Sequence, residues 1–215
     1  SLVVFDRCPM KYYFKNILNL DEDVTSIQGS PSVSNAKRGI DVHNTIQNYL
    51  TGELSFDLAL SQLDASTMHF FKNHGELWKK EVASASLIGI EQELRFSWKG
   101  NIILGTPDLY FINEAGLQVW DFKTGLMDEY DLQAYQLQLK WYAYAISQKT
   151  RLTSSSISLK IIALDTQKII EFSITIAELE ADLAAWWEKF SDYSTKKLNH
   201  CPKCAYQVYC TKSLQ

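Results

Sequence analysis

The sequence lacks the features of a membrane-spanning or secreted protein. No apolar run approaches the length needed to cross a bilayer, and no charged segment followed by an apolar one marks a secretory leader. Cysteine is scarce, at four residues, which suits a reducing compartment better than an oxidising one. We therefore expect a cytoplasmic protein with no membrane partner.

An excess of positive charge is also missing. The net charge of −4 gives no general attraction to nucleic acid or to anionic lipid, so any DNA contact must come from local basic groups. Repeats and low-complexity tracts are absent as well. What the chain does have is 215 residues, 46% of them hydrophobic, which is enough for one substantial core. We expect a single domain over residues 1–215.

The order of hydrophobic patterns predicts a mixed α/β fold. Helical patterns come first, at 6–18, 37–51 and 57–81, and strand-like runs follow at 87–98, 101–112 and 117–123. A long helix is expected at about 130–149, then strands near 156–164 and 167–174, and a last helix at about 176–197. The polar stretch over 21–36 is expected to be a loop. The pattern indicates a sheet flanked by helices.

The four cysteines lie only at the two ends of the chain. Cys8 is near the start, whereas Cys201, Cys204 and Cys210 form a group near the end. We expect the fold to bring residues 1–20 and 198–215 together as one cysteine lobe, beside a core over 37–197. A metal centre is favoured over two disulfides, since Cys201 and Cys204 are too close to pair comfortably. Spacing alone leaves zinc and an iron–sulfur cluster open.

Carboxylates recur on the central strands. Asp121 and Lys123 are two residues apart, so both side chains leave the same face of one strand. A hairpin would place Asp108 beside Asp121, and Glu93 lies one strand earlier. Three carboxylates at one sheet edge would suit Mg²⁺, which prefers oxygen ligands. Taken alone, Asp121 and Lys123 would fit an ordinary ion pair on an edge strand equally well.

These residues stand in the order of a known pattern. That pattern runs Gly39-x-x-x-His43, Glu93, Gly105-x-x-Asp108, Asp121-x-Lys123 and Gln138-x-x-x-Tyr142. With the cysteines, it resembles the RecB-like branch of the PD-(D/E)XK nuclease superfamily, in its iron–sulfur subgroup. That subgroup includes AddAB-type helicase–nuclease domains and CRISPR-associated adaptation nucleases. The resemblance covers nearly the whole chain and implies a restriction-endonuclease-like mixed β-sheet flanked by helices, with the termini joined by the cysteine site.

The resemblance implies a role for each matched position. The Mg²⁺ or Mn²⁺ ligands would be His43, Asp108, Asp121 and the backbone carbonyl of Phe122. The catalytic residues would be Asp108, Asp121, Lys123 and Glu93. Gln138 and Tyr142, four apart on one helix face, would contact DNA or brace the site. A [4Fe–4S] cluster would be held by Cys8, Cys201, Cys204 and Cys210.

The acidic position before the central strands has two candidates. Glu91 and Glu93 share strand parity if residues 87–98 form one strand, so alternation does not separate them. The spacing of Glu93 to Phe96 fits the family better, and Glu93 is therefore expected at or near the metal.

The function that the resemblance implies is a metal-dependent DNA nuclease. It would hydrolyse phosphodiester bonds in single-stranded DNA or at DNA ends, as an exonuclease in DNA repair, recombination or CRISPR adaptation. Its partners would be a helicase region or CRISPR adaptation proteins. A catalytically silent DNA-binding or scaffolding module is the alternative. An iron–sulfur electron-transfer protein would explain the cysteines but not the carboxylate pattern.

Overall fold

Seven strands form two sheets in the part of the chain that the computed structural model describes, residues 2–22, 33–152, 156–190, 192–193, 201 and 204–210. The strands are β1 (Leu87–Ile90), β2 (Leu94–Trp98), β3 (Asn101–Gly105), β4 (Leu109–Asn113), β5 (Gly116–Lys123), β6 (Ile157–Ala163) and β7 (Lys168–Ile174). The larger sheet has the order β1-β4-β5-β6-β7, and β2 and β3 form a separate hairpin. Only β5 and β6 run parallel; the other neighbours are antiparallel.

Helices precede, interrupt and follow the strands. They are α1 (Leu2–Arg7), α2 (Pro9–Tyr12), α3 (Val33–Thr51), α4 (Phe56–Gln62), α5 (Ala65–Ala83), α6 (Glu129–Thr150) and α7 (Ile176–Trp187). A π-helical turn, Tyr13–Ile17, continues α2, and a short 3₁₀ turn covers Gln207–Tyr209. None of the helices described here is long and apolar enough to cross a membrane. The mixed α/β fold with a helix-flanked sheet is as expected.

The two faces of the larger sheet pack against different helices. Alternate side chains of β5, including Leu117 and Val119, share a buried cluster with α6, α7 and the β2–β3 hairpin. The other face presents Trp120 and Phe122 to α3, α4 and α5. By this alternation Asp121 lies on the α6 face of the sheet. The sheet is therefore covered on both sides, and its central strands are almost wholly buried.

The expected single strand over 87–98 is wrong. Strand β1 ends at Ile90 and pairs with β4, whereas β2 begins at Leu94 and pairs with β3 in the other sheet. The chain changes sheets between them, and Glu91 adopts a left-handed backbone with φ of 46°. A left-handed residue reverses the extended path, so period-two alternation does not carry across the break.

Helix boundaries differ from the sequence pattern at a few places. The run over 57–81 is two helices, because Asp64 caps the start of α5 with its side chain. Helix α6 begins at a capping box built by Asp128 and Asp131. Helix α7 ends at Trp187, ten residues short of the expected end, and residues 194–200 lie outside the described part. Residues 23–32 of the expected loop also lie outside the described part. Helix α3 begins at Val33, inside the range expected for that loop.

Candidate metal centre

The antiparallel pairing of β4 with β5 brings two aspartates together. Leu109 pairs with Trp120, so Asp108, just before β4, faces Asp121 near the end of β5. A hairpin was expected to place Asp108 beside Asp121, and this register confirms that placement. Asp108 lies just beyond the paired part of β4, and its Oδ2 accepts a hydrogen bond of 2.6 Å from the Phe122 amide. That bond anchors the carboxylate at the open end of the strand pair.

A histidine and a second acid join Asp108 at this strand end. Ligand atoms of His43, Glu91 and Asp108 all lie within 4.8 Å of one another, a spacing that one metal ion can bridge. His43, on α3, points its Nδ1 at Asp108 Oδ2, 3.6 Å away. The amide of Glu91 donates to the backbone carbonyl of Asp108, at 3.1 Å, and so holds the left-handed residue against β4. Glu93 is exposed and lies outside this group.

The charges of these three groups depend on one another. Burial works to lower the pKa of His43, but the hydrogen bond and charge of Asp108 outweigh it, and the net shift is upward. Burial raises the pKa of Glu91, and the charge of Asp108 raises it further. Two acids and an imidazole thus share one small region, in which a cation would relieve the repulsion between the carboxylates.

Asp121 and Lys123 form a buried ion pair close enough to Asp108 to interact with its charge. Lys123 Nζ lies 2.7 Å from Asp121 Oδ2, and the two side chains are 18% and 1% exposed. Burial raises the pKa of Asp121, and Lys123 offsets part of that shift. Burial lowers the pKa of Lys123, but Asp121 and Asp108 together raise it above its usual value. The Lys123 ammonium is the one partner found for Asp121 Oδ2 among the described residues, and a carboxylate oxygen with one such partner keeps lone-pair capacity.

Gln138 and Tyr142 lie behind the ion pair on α6. Gln138 Nε2 donates to the Tyr142 hydroxyl at 2.6 Å, one helical turn away. Burial raises the pKa of Tyr142, which also senses the charges of Asp121 and Lys123. A Cβ atom at Gly105 would come within 2.5 Å of the Tyr142 ring, so the glycine is needed for that ring to lie against β3. The structure therefore places both residues on the helix that packs against the sheet face carrying Asp121.

An open cleft of about 600 Å³ leads to the acids. Its walls come from α3, the turn after β1 and the end of β5, with Gly39, Ile40, His43, Asn44, Gln47, Glu91, Phe122, Lys123 and Thr124 as the lining residues. A Cβ at Gly39 would lie 3.1 Å from Thr124 Oγ1, so glycine there lets α3 approach the end of β5 closely.

A salt bridge fixes the loop that follows Lys123. Asp165, in the β6–β7 turn, accepts from the Gly125 amide at 2.6 Å, and Arg38 Nη2 lies 2.6 Å from its other oxygen. Arg38 lowers the pKa of Asp165, so the carboxylate stays charged. Since Arg38 is on α3, five residues before His43, this bridge ties the histidine helix to the strand that carries Lys123.

None of the four cysteines is among the lining residues of this cleft. Ala205 and Tyr206 form a small cluster with Phe14, against which Cys204 and Cys210 pack. Burial raises the pKa of the Cys8 thiol, and the charges of Cys204 and Cys201 raise it further, so these three sulfurs share one neighbourhood. No three cysteine sulfurs of the described residues come within 4.8 Å of one another.

Sequence reasoning passed over several residues of the site. Alternation does not separate Glu91 from Glu93, and the spacing to Phe96 favours Glu93. Neither signal detects the change of sheet between Ile90 and Leu94. Gln47 had a usable signal, since it follows His43 by four positions on one helix face. Thr124 had none, because only the packing of Gly39 brings it to the cleft.

Comparisons with known proteins agree with this geometry at the level of the family. The model of the PD-(D/E)XK nuclease superfamily matches residues 1–211. No curated protein sequence matches significantly. Two crystal structures resemble the fold. A protein called SSO0001 is 18% identical with a TM-score of 0.41, covering 81% of this chain and 86% of its own. A candidate exonuclease from Eubacterium rectale is 13% identical with a TM-score of 0.44, covering 86% and 79%.

Proposed function

Because the chain belongs to the PD-(D/E)XK nuclease superfamily, we propose that it is a Mg²⁺- or Mn²⁺-dependent deoxyribonuclease of the RecB-like branch. The observation that carries this proposal is the grouping of His43, Glu91 and Asp108 beside the buried pair of Asp121 and Lys123. An acid-rich strand end next to a charged lysine has no evident structural purpose, since it places two like charges together at a cost to folding.

The residues present suit a hard divalent cation. Carboxylate oxygens and one imidazole nitrogen are ligands that Mg²⁺ or Mn²⁺ accepts, and the buried Asp121 Oδ2 has lone-pair capacity to spare. We propose His43, Glu91, Asp108 and Asp121 as the ligand side chains, with the Phe122 carbonyl as a further oxygen. A bound ion of this kind would lower the pKa of a water molecule and screen charge on the phosphate.

The chain's own residues divide the remaining work. Lys123 keeps its proton, because Asp121 and Asp108 raise its pKa, so it acts as a cation and hydrogen-bond donor rather than as a base. Its ammonium would donate to the attacking water or to a phosphate oxygen on which charge develops. The attacking water loses a proton to solvent and adds to phosphorus as the bond to the leaving oxygen breaks, and that oxygen takes up a proton from solvent. Gln138 and Tyr142 brace the face from which Asp121 and Lys123 project.

Single-stranded DNA or a frayed end is the substrate that we propose, with exonucleolytic cleavage. The cleft wall includes Ile40, which is 62% exposed, and Leu126, two residues after Thr124, is 86% exposed. Exposed aliphatic groups at a cleft can contact the faces of unpaired bases, which a duplex would hide. The net charge of −4 also argues against tight binding to the dense phosphate array of a duplex.

The test is cleavage of end-labelled single-stranded DNA by the purified chain. We expect fragments with Mg²⁺ or Mn²⁺ and none with excess EDTA. Duplex DNA of the same sequence should be cut more slowly. Binding of DNA without any metal-stimulated cleavage would overturn the proposal in favour of a catalytically silent module.

We expect Glu91, and not Glu93, to contribute to metal binding. Replacing Glu91 with glutamine removes a carboxylate charge from the group around Asp108, and should weaken Mn²⁺ binding at least about tenfold. Glu93→Gln is the matched control, because it makes the same change two residues away, outside the group. Calorimetric titration with Mn²⁺ measures both. The opposite ranking of the two variants would return the role to Glu93.

We further propose that the four cysteines hold a [4Fe–4S] cluster. The charges of Cys204 and Cys201 act on the buried Cys8 thiol, so three of the four sulfurs share a neighbourhood. The choice of an iron–sulfur cluster over zinc, and the inclusion of Cys210, come from the sequence resemblance. Closing a loop over nearly the whole chain would restrict the unfolded state strongly, so the role is structural first.

Loss of one cysteine should therefore lower stability and remove colour together. Cys204→Ser, purified without oxygen, is expected to lose the visible absorbance of the wild type and to melt at least about 5 °C lower. Wild-type protein stripped of its cluster is the matched control and should melt at the same temperature as the variant. Colourless wild-type protein that contains zinc would refute the cluster.

The setting in which such a nuclease works follows from the sequence resemblance. We propose that it acts with a helicase region, in DNA repair or recombination, or with CRISPR adaptation proteins. Association with purified candidates, by gel filtration, would separate these two settings.

A further inference from the structure

The ring of Tyr135 on α6 contacts two cations. Lys123 Nζ lies 4.6 Å from the ring centroid, and the guanidinium carbon of Arg7 lies 5.1 Å from the same centroid. Both distances are within the range in which the ring quadrupole attracts a cation. Lys123 comes from the strand end that carries the acids, whereas Arg7 ends α1. The ring therefore joins two parts of the molecule that the metal group itself does not connect.

Arg7 is held in place by α6. Its Nη2 lies 2.6 Å from Asp131 Oδ1, and Asp131 precedes Tyr135 by four positions, on the same helix face. The side chains of Arg7 and Asp131 are 32% and 25% exposed, so water screens the pair only in part. The guanidinium is thus fixed at one end by a carboxylate and packed against the ring.

The end of α1 is also fixed from the cysteine side. Cys8 directly follows Arg7, is buried, and accepts a hydrogen bond from the Lys11 amide at the start of α2. Asp6 accepts from Trp186 Nε1 of α7 at 2.9 Å. Any displacement of Cys8 therefore moves the neighbouring Arg7, since both lie at the same helix junction.

We infer that Tyr135 is a positioning residue for Lys123, and that Arg7 transmits the placement of the cysteine lobe to it through this ring. A lysine side chain is a flexible chain of four carbons. Its single contact with Asp121 does not fix the direction from which the ammonium approaches the carboxylate. The ring face supplies a second point of attachment and holds the ammonium beside the cleft. The expected effect on kcat rests on the catalytic role proposed for Lys123. The placement of its ammonium by the Tyr135 ring does not.

Substitutions at Tyr135 separate the ring from its hydroxyl. Tyr135→Leu removes the aromatic face and should lower kcat for single-stranded DNA by roughly 10- to 100-fold, because the lysine is misplaced, with little change in KM. Tyr135→Phe keeps the face and should retain most of the wild-type kcat. Tyr130→Leu is the matched control, the same change earlier on α6 at an exposed tyrosine with no ring contact to Lys123.

Arg7→Ala tests the second half of the inference. It should lower kcat by roughly threefold to tenfold, again with KM nearly unchanged. Arg95→Ala, at an exposed arginine of the β2–β3 hairpin, is its matched control. If both residues act through one ring, Tyr135→Leu combined with Arg7→Ala should be no slower than Tyr135→Leu alone.

A spectroscopic measurement keeps the inference testable without cleavage. In protein labelled with ¹³C at lysine Cε, we expect one signal shifted upfield by the ring current, assigned to Lys123 by its loss in Lys123→Ala. The shift should persist in Tyr135→Phe, vanish in Tyr135→Leu and change in Arg7→Ala, while Tyr130→Leu and Arg95→Ala leave it in place.

The outcomes distinguish this inference from the proposed function. An upfield lysine signal that follows the ring, in a protein that cuts no DNA, would support the placement and sink the nuclease. A protein that cuts DNA, but whose lysine signal and kcat are unchanged in Tyr135→Leu and Arg7→Ala, would overturn the inference alone. Equal damage from Tyr135→Phe and Tyr135→Leu would also overturn it, because the hydroxyl would then be the group that matters.

Discussion

Replacing Asp108 with asparagine is expected to lower single-turnover cleavage of single-stranded DNA by about 10³-fold while leaving the fold intact. Asp108 is the residue that joins the parts of the site: its Oδ2 accepts from the Phe122 amide and lies 3.6 Å from His43. An asparagine oxygen can still accept the amide hydrogen bond, so the strand end should keep its shape. The variant loses the negative charge that a divalent cation needs.

The matched control is Asp57→Asn, which makes the same substitution at an exposed position in the first turn of α4. It should cut DNA at the wild-type rate. Thermal melting should place Asp108→Asn within a few degrees of the wild type. Cleavage by Asp108→Asn within threefold of the wild-type rate would remove Asp108 from the metal centre.

The buried pair of Asp121 and Lys123 should show the largest effect on stability. Lys123→Met keeps the length of the side chain but leaves Asp121, which is 1% exposed, without its cationic partner. Removing one member of a buried ion pair typically costs about 3–5 kcal/mol, because the remaining charge is uncompensated. In EDTA, we expect a loss of stability toward the lower end of that range, since Lys123 is partly exposed. In a separate assay with Mg²⁺ or Mn²⁺, the variant should cleave no DNA.

The effect of Lys123→Met should depend on pH in a defined direction. Burial raises the pKa of Asp121 in the folded state, and without Lys123 that pKa rises further. A group whose folded pKa lies above its unfolded pKa costs nothing at low pH, where it is neutral in both states. Stability then falls as pH rises through the interval between the two pKa values. The deficit of Lys123→Met relative to the wild type should shrink as pH is lowered toward about 4.

The double variant Asp121→Asn/Lys123→Met provides the control for this pair. With both charges gone, its free energy of unfolding should exceed that of Lys123→Met at neutral pH and should no longer change with pH through this pair. The free energy of unfolding of the wild type still changes with pH through the pair, because the pKa of Asp121 is raised even beside Lys123. Urea denaturation at several pH values measures all three proteins. A double variant less stable than Lys123→Met by the full cost of a second deletion would mean that the charges do not interact.

Much of the site could be predicted from spacing along single elements. Asp121 and Lys123 are two apart on a strand, and Gln138 and Tyr142 are four apart on a helix, so periodicity alone places each pair on one face. In the structure the two side chains of each pair contact one another. The mixed α/β sheet and the long helix after the central strands were likewise predictable from hydrophobic patterning.

The acid at the metal group was not predictable in this way. Glu91 and Glu93 differ by one strand period, and the choice depends on where the chain leaves one sheet for the other. That break is set by the left-handed backbone at Glu91 and by its hydrogen bond to Asp108, which immediately precedes strand β4. A contact between distant segments decided the question, and no local pattern reports such a contact.

The sequence by itself determined which chemistry-bearing residues share a face within each element, because strand and helix periods are local properties of the backbone. Only the tertiary structure decided which elements meet. It brought Glu91 rather than Glu93 to His43 and Asp108, and it placed the Tyr135 ring between Arg7 and Lys123. These contacts depend on how helices and sheet pack across long separations in the chain, where the free energy comes from burial summed over the whole core rather than from any one motif.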